Sequence, residues 1–364
     1  MNNQIVFIGN ARCFHTLDWY RCVSKVLNQN VVFLTDLINS ESHNIIITSS
    51  DNIQNLFNID SILLHKQSRF GDVWRNLVKF VFLPIQIYKV KKFVRNNSGV
   101  LFHAHTMYYM LLCYLSGVDY VGTPQGSEIL LRPFRSKLYK LFAIKSLKNA
   151  VCVTVDSNSM ANVIKSLAGI DAVIIQNGID VVAINGIEGC NNSVDYILSI
   201  RGMTELYQIQ NILKARDQCC QNTYLKMLYP FFDINYLSDI SKIVRPKDQL
   251  LGKLEKNEMY KLFKNSRFVV SIPISDSSPR SVYEAIFCGC LVFCNYHQFL
   301  DILPKCMRNR IYVVDLQREF WLSEAMEWSS SISVTFNPSN EAIVLFDQLN
   351  SAKKMVADCY RCNI

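Results

Sequence analysis

The chain has 364 residues, half of them apolar and 19% charged, with a net charge of +8 at neutral pH. That composition excludes wholesale disorder, and the length exceeds what one ordinary core supports, so two domains are expected. No apolar run approaches the roughly 20 residues that span a bilayer. The thirteen cysteines show no spaced disulfide framework, which points to a reducing cytoplasm.

In chain order, the first strand-like run is QIVFIGN (4–10), with no signal-peptide pattern ahead of it. It holds a single Gly, and no Gly-x-Gly-x-x-Gly follows. This counts against a dinucleotide-dependent dehydrogenase, whose backbone needs those glycines to approach a pyrophosphate. VVFLTDL (31–37), NIIITSS (44–50), GVLFHAH (99–105), DYVGTPQG (119–126), AVCVTVDS (150–157) and AVIIQNG (172–178) also read as buried strands. Helical patterns such as WYRCVSKVLNQN and MYYMLLCYLSG lie between them, so a parallel sheet covered on both faces is predicted. Ligands of such sheets bind beyond the carboxyl ends of the strands.

From Lys66 to Lys148 the chain carries fourteen Lys or Arg and three acids, Asp72, Asp119 and Glu128. Segments 74–95 and 132–148 interleave these cations with aromatic and aliphatic residues. That pattern suits an anionic membrane surface, and it also reads as a solvated basic face with snorkelling lysines. No helix-turn-helix, RNA-binding or zinc-finger signature is present, so nucleic acid is not expected as a partner. Cys359 and Cys362 form a lone CxxC, and Cys13, His15 and Cys22 lie close together. A zinc site needs a second pair at fixed separation, so these read as free thiols and no metal is expected.

The Gly- and Asn-rich stretch 178–196 reads as the junction between two halves. The rhythm then resumes with YILSIRG (196–202), a helix over about 204–220, RFVVSIPIS (267–275), CLVFCN (290–295) and RIYVVDL (310–316). The expected division is an N-terminal domain over 1–180, a C-terminal domain over 181–340, and a closing helix over 341–364 that packs back toward the first.

The segment SDSSPRSVYEAIFCGC (275–290) carries the chemistry. Ser278 suits an N-cap and Pro279 the first helical position. Val282, Ala285, Ile286 and Gly289 form one apolar stripe. Glu284 lies off that stripe in the second turn and leans toward the loop holding Asp276. The helix mouth suits a phosphate. A nucleotide-sugar would place its phosphate there, ribose hydroxyls on Glu284 and sugar hydroxyls on Asp276.

This segment resembles the signature of the retaining GT-B glycosyltransferases of family 4, in which two carboxylates are separated by seven residues. Asp276 stands where the family usually has Glu. PQGSEI (124–129) resembles the family's Gly-Ser-Asp-Ile loop and IIQNGID (174–180) its Pro-Asn-Gly-Ile-Asp turn. LSIRG (198–202) resembles its Gly-Arg phosphate site, and GCLVF (289–293) its Gly-x-Pro-Val strand. The resemblance covers roughly residues 100 to 300. It implies an α/β GT-B fold, two Rossmann-like domains with parallel sheets facing a central cleft.

The resemblance further implies that Arg201 binds the donor diphosphate, Glu284 the ribose and Asp276 the transferred sugar. The loop and helix start with Ser277, Ser278, Arg280 and Ser281 would aid them. The family's histidine near the anomeric carbon best matches His105, with His103 as second choice. Gly126 and Ser127 would line the cleft, with Glu128 beside them. The family's lysine five or six residues after the Arg is replaced by Leu206 and Tyr207, leaving Arg280 or Lys253 to supply a second cation. GNARCFHTLDWYR replaces the family's Gly-rich first loop, with His15, Asp18, Trp19 and Arg21 as candidate acceptor contacts.

The implied partners are a nucleotide-sugar donor, a glycan or polyprenyl-linked glycan acceptor, and an anionic membrane surface at the inner face of the cell membrane. The implied activity is glycosyl transfer in polysaccharide biosynthesis, without a cofactor. The same fold also serves nucleotide-sugar epimerases and hydrolases. The Asp-for-Glu exchange and the missing Lys would equally suit a degenerate, non-catalytic partner in a glycan-assembly complex.

Overall fold

The computed structural model describes residues 4–37, 47–56, 59, 62–63, 71–189, 193–219, 222–333 and 335–360. The chain divides into two compact units. One runs to Gln176 and takes up the chain again from Gln348; the other is Asn177–Asp347.

The first unit holds seven parallel strands: β1 (Gln4–Ile8), β2 (Val32–Thr35), β3 (Ile53–Asn55), β4 (Val100–His105), β5 (Tyr120–Thr123), β6 (Cys152–Val155) and β7 (Val173–Ile174). Their order across the sheet is β3-β2-β1-β4-β5-β6-β7. Side chains alternate across a strand, and both faces of β1 are buried. Ile5 and Phe7 pack with the helix Phe14–Leu27 and with Ala352, Met355 and Tyr360 of the closing segment. Val6 and Ile8 pack on the other face, with residues of the helices Gly71–Asn96, Met107–Ser116, Lys137–Lys148 and Asn158–Ala168. Burial on both faces explains why these strands read as continuous apolar runs.

The second unit holds six parallel strands: β8 (Ser193–Ser199), β9 (Tyr224–Leu228), β10 (Gln249–Gly252), β11 (Ser266–Ser271), β12 (Leu291–Cys294) and β13 (Ile311–Val313). Their order is β10-β9-β8-β11-β12-β13. The helix Ile209–Cys219 covers one face, with Ile209, Ile212 and Leu213 on Ile197. The helix Arg280–Phe287 covers the other, with Val282, Ala285 and Ile286 in the cluster of Tyr196 and Leu198.

Several elements differ from expectation. Residues 44–46 lie outside the described residues; 47–50 form coil and turn, and the third strand is Ile53–Asn55 instead. β9 and β10 are strands that the apolar pattern did not single out, because polar Lys226 interrupts β9 and β10 has only Leu250 and Leu251 as apolar residues. The expected helix 204–220 is split into a 3-10 turn, Glu205–Tyr207, and the helix Ile209–Cys219. Gln208 between them sits at φ 53°, left-handed backbone that ends the turn.

Candidate functional site

In each sheet the strand order reverses once. The chain leaves β1 and β4 toward opposite faces of the first sheet, and β8 and β11 toward opposite faces of the second. The loops beyond those carboxyl ends diverge, which opens a crevice for ligands. The candidate residues fall at these two reversals.

In the second unit, Arg201 follows β8 and Asp276 follows β11. An Arg201 Nη2 donates to Asp276 Oδ2, and Nη1 donates to Ser281 Oγ at 2.9 Å. The Arg201 and Asp276 side chains are 13% and 10% exposed, so solvent weakens their attraction far less than at a free surface. The guanidinium also lies over the Tyr207 ring, 4.8 Å from its centroid. Tyr207 thus occupies the place at which the family resemblance leads one to expect a lysine.

The helix expected to begin at Pro279, with Ser278 as its N-cap, begins at Arg280. Pro279 is its N-cap and offers no side-chain bond, so Ser278 is not the cap; Ser277 and Ser278 lie in the half-buried loop before it. Glu284 is also more enclosed than its place off the apolar stripe suggests. Every residue from Val282 to Phe287 is buried, because the helix is covered on its outer side by Tyr260 and its neighbours. The Glu284 Oε1 accepts from the Tyr260 hydroxyl at 3.0 Å and lies 3.3 Å from Arg280 Nε. Burial, and then the Glu284 charge, push the Tyr260 phenol well above its ordinary pKa, so it remains a donor. Asp276 and Glu284 are therefore held by different cations. Lys253, the other candidate second cation, is exposed just past the end of β10.

In the first unit the two histidines of β4 separate clearly. His103 is fully used: Nδ1 bonds the Tyr360 hydroxyl at 2.5 Å and Nε2 bonds Thr123 Oγ1 at 2.8 Å, with Thr154 Oγ1 beyond at 2.6 Å. His105 is also buried, stacked on Phe7 at 5.8 Å with Trp19 at 6.4 Å. Its Nε2 has no hydrogen-bond partner among the described residues. Burial, and then His15, lower its pKa to about 3, so it is a neutral imidazole near pH 7. A Cβ on Gly9 would meet Thr16 Cγ2 at 2.8 Å and His105 Cβ at 3.3 Å, so glycine is needed where the loop beyond β1 passes this ring.

Thr106, next in the chain, has φ 81° and ψ 153°, a conformation that side chains disfavour. Three bonds hold it there. Its own N–H donates to Thr123 O at 3.0 Å, and Glu128 Oε2 accepts from Met107 N–H at 2.8 Å and from Gln125 N–H at 3.0 Å. Glu128 therefore turns inward and ties the loop after β4 to the turn that presents Gly126 and Ser127. Of the other candidates, His15 is exposed, Asp18 and Trp19 are half-buried on the first helix, and Arg21 is committed to Asp51 through bonds of 3.0 and 2.6 Å.

Tyr260, Thr123 and Tyr360 were not found by motif reading. Each is an aromatic or hydroxyl residue whose sequence neighbourhood has no distinguishing pattern. Among the described residues no group of three or more His, Cys, Asp or Glu is placed to hold a metal ion; Cys362 lies outside them.

No protein-family model matches the chain, and no curated protein matches its sequence. Solved structures do match over nearly the whole length. Sucrose-phosphate synthase from Thermosynechococcus elongatus superposes with a TM-score of 0.75 at 14% identity, covering 99% of each chain. Anabaena Alr3699/HepE in complex with UDP superposes with a TM-score of 0.71 at 12% identity, covering 97% of this chain and 98% of that one. The lipopolysaccharide outer core galactosyltransferase WaaB gives 0.66 at 11% identity, covering 97% and 99%. The two parallel-sheet, Rossmann-like halves are those of the GT-B fold, which these neighbours share.

Proposed function

We propose that this chain is a glycosyltransferase that moves a sugar from a nucleotide-sugar to a glycan or lipid-linked glycan, with retention, in surface-polysaccharide assembly. The observation that carries this reading is the Arg201–Asp276–Ser281 group at the strand-order reversal of the second unit, in a fold whose neighbour HepE holds UDP and UDP-glucose. Arg201 would neutralise the leaving diphosphate, Asp276 would accept hydrogen bonds from sugar hydroxyls, and Glu284 from the ribose. His105, neutral and with an open Nε2, would take the role that the family resemblance gives its histidine. In the step itself the anomeric carbon's bond to the phosphate oxygen breaks as its bond to the acceptor oxygen forms on the same face. The acceptor proton passes to the departing phosphate. Positioning and charge stabilisation then carry the rate.

The test is nucleotide release from a panel of UDP-, GDP-, dTDP- and CMP-sugars. One donor should be turned over, and Asp276→Ala and Glu284→Ala should each lower kcat by about 100-fold or more, the scale for removing one preorganised polar group. Failure to bind any of these donors would leave the non-catalytic reading in its place.

The same reading includes docking at an anionic membrane surface. The helices Gly71–Asn96 and Lys137–Lys148 both pack on Met107–Ser116. They leave Phe80, Tyr88, Leu138 and Leu141 exposed among Lys89, Lys92, Lys137 and Lys140, with Phe134 just ahead of the second helix. Pro84 lies in the exposed part of the first. No described helix is long and apolar enough to cross a membrane, so attachment would be peripheral, at the inner face of the cell membrane. Each cation near such a surface contributes about 1 kcal/mol. Sedimentation with phosphatidylglycerol vesicles should therefore capture the protein, and neutral phosphatidylcholine vesicles should not. Equal recovery with both, or capture unaffected by Phe80→Ser with Phe134→Ser, would remove the membrane from the reading.

A further inference from the structure

Arg201 is enclosed on three sides. Ser281 and Asp276 take its Nη atoms, and the Tyr207 ring takes its flat face. The surroundings of that ring are built to hold it in place. Tyr207 closes the 3-10 turn Glu205–Tyr207. Leu206 O accepts from Ile274 N–H at 2.8 Å, and the Gln208 amide donates to Ile272 O at 2.7 Å. Both bonds fasten the turn to the stretch after β11 that leads into Asp276. Behind Tyr207 stands Phe231, with ring centroids 5.9 Å apart. Phe231 in turn lies so close to Gly202 that a Cβ there would come within 2.2 Å of its ring. Gly202, Phe231 and the turn thus form one support, and what it supports is the face of Arg201.

We propose that Tyr207 is a positioning residue for donor binding. Resting on the donor reading above, the inference is that one guanidinium held flat by an aromatic ring takes the part that a guanidinium and a lysine share where both cations are present. Each Nη keeps a second N–H beyond the one given to Ser281 or Asp276, for phosphate oxygens to accept, and stacking on an aromatic face fixes the plane of those donors without adding charge. The ligand so recognised is a nucleoside diphosphate, and the recognition depends on the aromatic ring of residue 207, not on its hydroxyl.

Isothermal titration of the full-length protein with UDP, GDP and dTDP, and with UMP, GMP and dTMP, tests this. For the nucleotide that the wild type binds, Tyr207→Leu should weaken the diphosphate about ten-fold, the scale of a partly desolvated cation–π contact. The matching monophosphate should change much less. Tyr207→Phe should bind as the wild type does. Gly202→Ala, whose Cβ would displace the Phe231 ring, should weaken the diphosphate in the same direction. Tyr207→Lys should restore or raise diphosphate affinity and make it fall more steeply with salt.

If the wild type binds a diphosphate and Tyr207→Leu binds it equally well, the inference is wrong and the donor reading stands. Equal losses for diphosphate and monophosphate, or a Tyr207→Phe variant as weak as Tyr207→Leu, would also overturn it. If the wild type binds none of these nucleotides, the donor reading fails and the inference falls with it.

Discussion

Asp248→Ala is expected to destabilise the Asn177–Asp347 unit by about 3–5 kcal/mol, the cost of removing one partner from a buried ion pair. Arg216 and Asp248 side chains are both fully buried. Arg216 Nη1 and Nη2 donate to the two Asp248 oxygens at 2.6 and 3.1 Å, and Nε donates to Asp217 at 2.6 Å. Asp248 also accepts from the backbone N–H groups of Leu225 and Arg245 at 2.7 and 2.8 Å. Burial opposes the Asp248 charge, but the Arg216 and backbone hydrogen bonds outweigh it and hold its pKa below the ordinary value. The pair thus anchors β9 and the approach to β10, two strands that lack a strong apolar pattern of their own. Hydrogen exchange of the Leu225 and Met227 amides would read the effect directly. Protection unchanged to within about 1 kcal/mol would show that the network contributes little. A combined Arg216→Met and Asp248→Leu variant should lose less than Asp248→Ala alone, because no charge is then left unpaired.

Acidification from pH 7.5 to 5.0 is expected to destabilise the other unit by about 2 kcal/mol through His105, with His103 adding to the loss in the same direction. Burial, followed by repulsion from His15, lowers the His105 pKa to about 3. Burial, followed by His105, lowers that of His103 well below the ordinary value. In the unfolded chain both titrate near their ordinary value of about 6.5. A folded pKa below the unfolded one means that protonation favours unfolding. Stability is therefore full above pH 6.5 and is lost as pH falls below it, at about 1.4 kcal/mol per pH unit for each group, until the folded pKa is reached. Urea titrations at the two pH values, read by exchange of β4 amides, should show the loss, and His105→Gln should remove about 2 kcal/mol of it. A pH-independent midpoint would mean that these rings accept protons in the folded state.

The alternation of short apolar runs with amphipathic helices is a local property. It was enough to establish a parallel α/β architecture in two halves, with candidate residues placed just beyond strands. Asp276 became a candidate beside the start of a helix, and Arg201 and His105 through short motifs that resemble a known family; both readings needed only neighbouring positions. What each touches did not follow from such a reading. Arg201 and Asp276 are 75 residues apart in the chain, and they meet because β11 pairs with β8 and not with β10 or β9. Nothing in the spacing of either strand encodes that order.

His103 and His105 share one face of β4 and are indistinguishable by periodicity. Tyr360, 257 residues away, uses up one of them and leaves the other with an open nitrogen. Likewise, a helical pattern assigns Glu284 to a flank, and only the packing of Tyr260 over that flank encloses it. Side-chain direction and strand boundaries follow from local sterics and are written along the chain. Strand order and partner choice depend on which distant surfaces bury each other, and only the tertiary structure decides them.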